Sequence, residues 1–115
     1  MKFLCLIAVD GSRALPQAEA ADELAAYADF TQSLVDAGHY VDAARLAPPT
    51  SAVTVRVRGG AVSTTEGPFA ETNGQIGGFY LVDARDLNEA IRLAARVPGA
   101  RRGAVEVRPL AEAVR

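Results

Sequence analysis

The sequence predicts one α+β domain, in which an antiparallel sheet carries two helices on one of its faces. Segments 3–9 and 79–82 are apolar on both alternating faces, which is typical of buried strands. Segments 16–37 and 86–97 place apolar residues at steps of three and four, which is typical of amphipathic helices. With 115 residues, 50% of them hydrophobic, the chain can bury one core, so we expect a single domain over 1–115.

Turn residues separate the first strand from the first helix. Asp10-Gly11-Ser12 ends the strand that covers residues 3–9. Pro16 opens the helix, which continues to about Ala37, and Gly38 is placed to end it in a left-handed conformation. The apolar stripe of this helix consists of Leu24, Tyr27, Ala28, Thr31, Leu34 and Val35.

The middle of the chain predicts a strand at 40–47 followed by a hairpin. Residues 53–58 alternate valine with polar residues, which indicates a half-buried strand. Gly59-Gly60 has the chemistry of a two-residue turn into a second strand at 61–64. Residues 66–77 are rich in Gly, Pro and Asn and predict a loop.

The last third predicts a strand, a helix and a strand. After the strand at 79–82, Asp86 and Glu89 have the spacing of a capping box at the start of a helix. Pro98-Gly99 ends this helix, and 104–108 alternate as a final strand. The inner stripe of the helix consists of Leu87, Ala90, Ile91, Ala94 and Val97. The order strand-helix-strand, hairpin, strand-helix-strand predicts a ferredoxin-like split βαβ arrangement.

The two-faced strands predict a homodimer. Two helices cover one face of such a sheet, and the segments at 3–9 and 79–82 are apolar on the other face as well. A second copy of the sheet is the economical cover, and a stable interface of this kind buries at least about 800 Å² per partner.

Charge and cysteine content exclude several classes of function. The net charge of −2, with 12 basic and 14 acidic residues, argues against nucleic acid as a partner. One cysteine and one histidine do not make a zinc site, and we expect neither a metal nor another cofactor. The apolar run at 3–9 is too short for a signal sequence or a membrane span. We therefore expect a cytoplasmic protein without a membrane partner.

One motif carries a family resemblance. It consists of Thr65-Glu66-Gly67-Pro68-Phe69-Ala70-Glu71-Thr72 followed by Gly77-Gly78-Phe79-Tyr80-Leu81. The motif resembles the signature of the YCII-related proteins of the DGPF subgroup, which belong to the dimeric α+β barrel superfamily. The closing segment Val105-Glu106-Val107-Arg108-Pro109 fits the same family.

The resemblance implies a ferredoxin-like fold, a dimer with a cavity beside the sheet, and a bacterial cytoplasmic setting. It also implies a link to an extracytoplasmic-function sigma factor, because many such proteins are encoded beside one. Some members carry a His–Asp pair proposed as catalytic. This sequence differs in two places. The subgroup's tetrapeptide is Asp-Gly-Pro-Phe, and here its first residue is Glu66 instead of Asp. His39 follows the helix-ending Gly38, where it does not match the helix histidine of that pair.

The candidate pocket residues are Asp10, Glu66, Gly67, Pro68, Phe69, Glu71, Gly78 and Tyr80. Glu66 and Glu71 could lie at a pocket mouth, with one of them acting as a general acid or base, but a structural interpretation is favoured. In that interpretation Gly67 allows the turn and Phe69 fills the core. His39 is a further acid–base candidate because its ordinary pKa lies near neutrality.

Two functions fit these features. The first is a small-molecule-binding or regulatory homodimer, favoured because the sequence offers no convincing acid–base pair, metal set or cofactor loop. The alternative is a cofactor-independent lyase, isomerase or oxygenase that acts on a small organic substrate in the dimer cavity. A purely structural interaction module also remains open.

Overall fold

The computed structural model describes residues 1–9, 15–69 and 75–111. The strands and helices follow the predicted order, and short 3-10 turns lie at Pro49–Ser51 and Pro98–Arg101. The α+β class is confirmed, with two helices and antiparallel sheets in the described residues. The elements are β1 (Lys2–Val9), α1 (Gln17–Asp36), β2 (Tyr40–Arg45), β3 (Val53–Arg58), β4 (Ala61–Glu66), β5 (Gln75–Asp83), α2 (Leu87–Ala94) and β6 (Ala104–Pro109).

A four-stranded sheet with the order β2-β5-β1-β6 forms the centre of the molecule. Every neighbouring pair in it is antiparallel. β5 is longer than the sequence predicts, because its pairing with β1 continues through Gly78 to Gln75. The register sets Phe3 opposite Val82 and Ile7 opposite Gly78. The side chains of alternate residues therefore lie on one face of both central strands.

β3 and β4 pair only with each other and form a hairpin outside the main sheet. Gly59 and Gly60 make its turn with φ values of 56° and 79°, which confirms the predicted two-residue turn. One face of the hairpin is unpartnered within the described residues, because Val53, Val55, Val57 and Val62 are all exposed.

The core lies between the main sheet and both helices. Phe3 and Leu34 are fully buried, and Cys5 packs beside them as the small hydrophobe that the sequence predicts. Burial raises the pKa of the Cys5 thiol. The cluster draws on β1, β5, α1 and α2: Phe3, Cys5, Ile7, Phe30, Leu34, Tyr80, Val82, Ala84, Ala90, Leu93, Ala94 and Val97.

The predicted helix stripes are wrong in part. In α1, Phe30 and Leu34 are buried, whereas Leu24 and Val35 are 54% and 49% exposed. Leu24 lies on the first half of α1, which makes little contact with the sheet. Val35 is one residue, or about 100° of rotation, from the buried Leu34 and so falls outside the buried face. In α2, Leu93 is buried in place of Leu87 and Ile91, because this short helix turns its alanine face to the sheet.

α2 begins at a capping arrangement close to the predicted one. The Asp86 side chain accepts a hydrogen bond from the Glu89 backbone N–H at 2.8 Å. The Glu89 carboxylate in turn accepts from the backbone N–H of Arg85, one residue further back than in a standard capping box. The Glu89 N–H holds the pKa of the Asp86 carboxyl below its ordinary value.

We expect Asp86→Ala to lower the urea midpoint at about pH 7, because the N–H of Glu89 loses its acceptor. Asp86→Asn keeps an acceptor and does not titrate. Because the pKa of Asp86 is depressed by folding, its charge stabilises the fold above the ordinary carboxyl range. That contribution is lost as pH falls through the folded-state pKa. The stability of wild type should therefore fall relative to that of Asp86→Asn as the pH is lowered through the ordinary carboxyl range and below it. Parallel pH profiles for the two proteins would contradict this.

Candidate functional site

A cavity of about 540 Å³ lies between the first half of α1 and the sheet. It forms because β5 presents Gly77 and Gly78, which have no side chains, beneath a part of the helix that makes little apolar contact. The backbone of β2 approaches closely here, since a Cβ added at Gly78 would lie 2.8 Å from the carbonyl oxygen of Ala44. The floor of the cavity is therefore backbone and small side chains.

Most of the cavity lining is apolar. Ile7 and Val9 of β1, together with Leu15 and Leu24 on the helix side, supply aliphatic surface. The polar residues of the lining are Glu23 and Tyr27 of α1, Arg45 of β2, Tyr80 of β5 and Arg102 before β6. This is the usual composition of a small-molecule pocket, an apolar body with few polar groups.

Tyr27 is held by a contact with the turn after α2. Its hydroxyl oxygen accepts a hydrogen bond from the backbone N–H of Gly99 at 3.0 Å. Gly99 is buried, and a Cβ there would lie 2.5 Å from the Tyr27 oxygen, so any other residue would force the Tyr27 side chain or the turn to shift. Burial is the main cause that raises the pKa of the Tyr27 hydroxyl, which therefore keeps its proton at neutral pH.

Tyr80 faces the helices from the centre of β5. Its hydroxyl shares a 2.7 Å hydrogen bond with the hydroxyl of Thr31 on α1. Its ring meets Phe30 edge to face, with 5.1 Å between the centroids. Burial raises the pKa of Tyr80. By alternation, Phe79 occupies the opposite face of the strand.

Glu23 and Arg102 form an ion pair at the cavity. The Arg102 guanidinium donates two hydrogen bonds, Nε to Oε2 at 2.9 Å and Nη2 to Oε1 at 2.8 Å. Their side chains keep 22% and 31% of their surface exposed. The carboxylate of Glu23 is the main cause that raises the pKa of Arg102. Both carboxylate oxygens of Glu23 are thus engaged by a cation.

Three of the eight predicted pocket residues line one of two cavities. Gly78 and Tyr80 line the cavity under α1. Pro68 lines a second cavity of about 460 Å³, which also involves Pro48 and Pro49. Asp10 and Glu71 lie outside the described residues. The described residues that line the first cavity include none of Glu66, Gly67, Pro68 and Phe69.

The turn at Glu66–Phe69 is a structural element of the hairpin base. Gly67 has a φ of 101°, and its N–H donates to the carbonyl of Ala52 at 2.8 Å. Thr54 donates its hydroxyl to the carbonyl of Gly67 at 2.7 Å. Glu66 is exposed. The interpretation of Phe69 as core filler is wrong, because its side chain is 77% exposed with the Arg56 guanidinium 5.5 Å from its ring centroid.

His39 lies away from the cavity, beside the start of α2. Its Nδ1 is 2.8 Å from the carbonyl oxygen of Asp83 and 4.0 Å from the carboxylate of Glu89. A carbonyl only accepts, so Nδ1 carries a proton and donates it. His39 thus links the end of β5 to the segment after α1 by a hydrogen bond. Over the described residues, it is not part of the cavity lining.

Sequence reasoning did not select Glu23, Gly99 or Arg102 as site residues. Glu23 and Tyr27 are four residues apart, which places them on one face of α1, and this spacing was the available signal. Their partners Arg102 and Gly99 are 79 and 72 residues away in sequence, so the fold alone brings them together.

No group of three metal-ligating side chains occurs in residues 1–9, 15–69 and 75–111. Over the same residues, neither helix has the length and hydropathy needed to cross a bilayer.

Comparison with known proteins now identifies the family. The YCII-related domain matches residues 1–113, and the chain belongs to this family. An uncharacterised protein of Rhizobium meliloti (strain 1021) is 46% identical over 79 residues, which cover 67% of this chain and 64% of that protein. The predicted resemblance to the YCII-related family is therefore confirmed.

The close approach of Gly99 to Tyr27 can be tested with a double-mutant cycle. We expect Gly99→Ala to lower the free energy of unfolding by about 1–3 kcal/mol, because its Cβ overlaps the Tyr27 hydroxyl. In a Tyr27→Phe background the hydroxyl is absent, so the same substitution should cost less than half as much. Urea unfolding of the four proteins measures the coupling. Additive losses would show that the overlap is relieved elsewhere.

Proposed function

We propose that this protein is a homodimer that binds a small organic molecule in the cavity under α1 of each subunit. The cavity itself carries the proposal. Its volume of about 540 Å³ lies within the range of about 300–1,000 Å³ found for ligand pockets. An apolar lining with two protonated phenols suits a mainly apolar molecule, such as an aromatic one, better than a highly charged one.

Ion pairing of the carboxylate and protonation of the two phenols in the cavity lining favour binding over catalysis. Glu23, the one carboxylate among the described lining residues, is paired through both oxygens with Arg102. Raised pKa values keep Tyr27 and Tyr80 protonated, so neither phenol is poised as a base. A cofactor-independent enzyme is the second candidate, supported by the presence of these same polar groups at the cavity.

We expect a bicyclic aromatic probe, 2-acetylnaphthalene, to raise the melting temperature of the protein. At ten times its Kd, binding adds about 1.4 kcal/mol, which corresponds to roughly 5 °C for a domain of this size. Ala20→Phe adds a ring at a lining position and should abolish the shift. Ala25→Phe places the same ring on an exposed position of α1 outside this lining and should leave the shift unchanged. Equal shifts in both variants would mean that the probe binds elsewhere.

The dimer is supported by the face of the sheet opposite the helices. Leu4, Leu6 and Leu81 alternate with the buried core residues of β1 and β5, and they remain partly exposed. The molecule measures 48 × 47 × 19 Å, which fits one helix layer on one sheet. These side chains and the valine face of the hairpin are two apolar surfaces without a partner among the described residues.

The exposed area supports the same conclusion. The chain exposes 8246 Å², whereas a compact protein of 12.0 kDa exposes about 6,000 Å². The excess of about 2,200 Å² is more than the roughly 800 Å² that each partner buries in a standard interface. A second copy that stacks its open sheet face on the first would give a ferredoxin-like dimeric α+β barrel.

We expect Leu81→Arg to shift the protein to a monomer, because it sets a charge at the centre of the open sheet face. Ile91→Arg is the matched control, since Ile91 is 49% exposed on α2 on the helix side. Light scattering coupled to gel filtration at micromolar concentration measures the mass of each. A monomeric wild type would contradict the dimer and leave the cavity proposal standing.

The proposal extends to the subgroup and the setting that the resemblance implies. The tetrapeptide Glu66-Gly67-Pro68-Phe69 supports the DGPF subgroup, with Glu in place of Asp. A regulatory role beside an extracytoplasmic-function sigma factor, in the cytoplasm, is proposed on that resemblance.

A further inference from the structure

We propose that the Tyr27 hydroxyl donates a hydrogen bond to the ligand, and that the ligand therefore carries a neutral acceptor oxygen, such as a ketone or aldehyde carbonyl, on its apolar body. This rests on the binding function proposed above and specifies the ligand class.

The hydrogen-bond partner of Tyr27 determines the direction of the remaining bond. A backbone N–H only donates, so the Tyr27 oxygen is the acceptor in its 3.0 Å bond with Gly99. The phenol has one proton, which this bond does not use. Over the described residues no acceptor takes that proton. Because Tyr27 lines the cavity, the unused donor is available to a molecule bound there.

The neighbouring polar groups do not compete for this role. The Tyr80 hydroxyl is bonded to that of Thr31 at 2.7 Å, and Tyr80 is only 6% exposed, so a ligand reaches it less readily than it reaches the partly exposed Tyr27. Both oxygens of Glu23 accept from Arg102, and over the described residues the Tyr27 hydroxyl is not bonded to this carboxylate. Tyr27 is therefore the hydroxyl whose hydrogen bonding a ligand would complete.

The ion pair also argues for a neutral acceptor rather than a carboxylate. Beside Tyr27, an anionic group would have to displace Glu23 from a two-bond contact with Arg102 or lie beside its negative charge, and the other lining cation, Arg45, belongs to β2. A carbonyl oxygen needs neither, and a single phenol proton is enough to satisfy it.

The test compares two probes of similar shape, 2-acetylnaphthalene and 2-ethylnaphthalene, which differ in the acceptor oxygen. Binding is measured by calorimetry to wild type, Tyr27→Phe and Tyr40→Phe. Tyr27→Phe should weaken the ketone about threefold to tenfold and the hydrocarbon less than twofold. Tyr40→Phe removes a hydroxyl from a core tyrosine outside the cavity lining and should change neither affinity. An equal loss for both probes in Tyr27→Phe, or none, would overturn the donor role.

Two further measurements keep the outcomes separate. In wild type, the infrared carbonyl stretch of bound 2-acetylnaphthalene should lie below its value in an apolar solvent, and this shift does not depend on how well a variant folds. An unshifted stretch overturns the donor role.

If both probes bind wild type and Ala20→Phe blocks them, but Tyr27→Phe has no selective effect, the donor role fails while the binding function stands. If neither probe binds wild type, both fail. Tighter binding of 2-naphthoate than of the ketone overturns the neutral acceptor.

Discussion

The antiparallel pairing of β1 with β5 is the interaction on which the rest of the structure depends. Its register sets Cys5 opposite Tyr80 and Ile7 opposite Gly78. A slip of one residue would move every core side chain of one strand to the open face. The same register places a strand position without a side chain next to Ile7 under α1, so it fixes the core and the floor of the cavity together.

The sequence was informative wherever the cause of a structure is local. The φ values at Gly38, Gly59 and Gly60, and the Asp86 cap, follow from turn and cap chemistry that a few adjacent residues contain. Two-residue and four-residue periodicities likewise predicted both helices and the central strands. Periodicity does not show how far along a helix the contact with a sheet extends. It therefore predicts Leu24 in the core, whereas the structure leaves this residue 54% exposed.

The candidate site was less predictable because its polar groups come from distant parts of the chain. Gly78 and Tyr80 could be selected from a motif, but nothing near Glu23 or Tyr27 in sequence indicates Arg102 or Gly99. The composition of the motif residues Glu66–Phe69 predicts a candidate pocket. In the fold they form the base of the hairpin, where the backbone of Gly67 bonds to Ala52 and Thr54.

The way α1 is attached has a physical consequence for the cavity. Phe30 and Leu34 bury its C-terminal part, whereas the part up to Tyr27 is held by the Glu23–Arg102 pair and the Tyr27–Gly99 hydrogen bond. Partly exposed ion pairs and single hydrogen bonds each contribute about 1 kcal/mol, less than a buried large side chain. The part of the helix above the cavity is therefore the less firmly held part, and a molecule that fills the space would add the apolar contacts that this half lacks. Gly78 and Tyr80 of β5 line the cavity, and Leu81 of the same strand faces the proposed dimer interface. Ligand binding and dimerisation would therefore both involve β5.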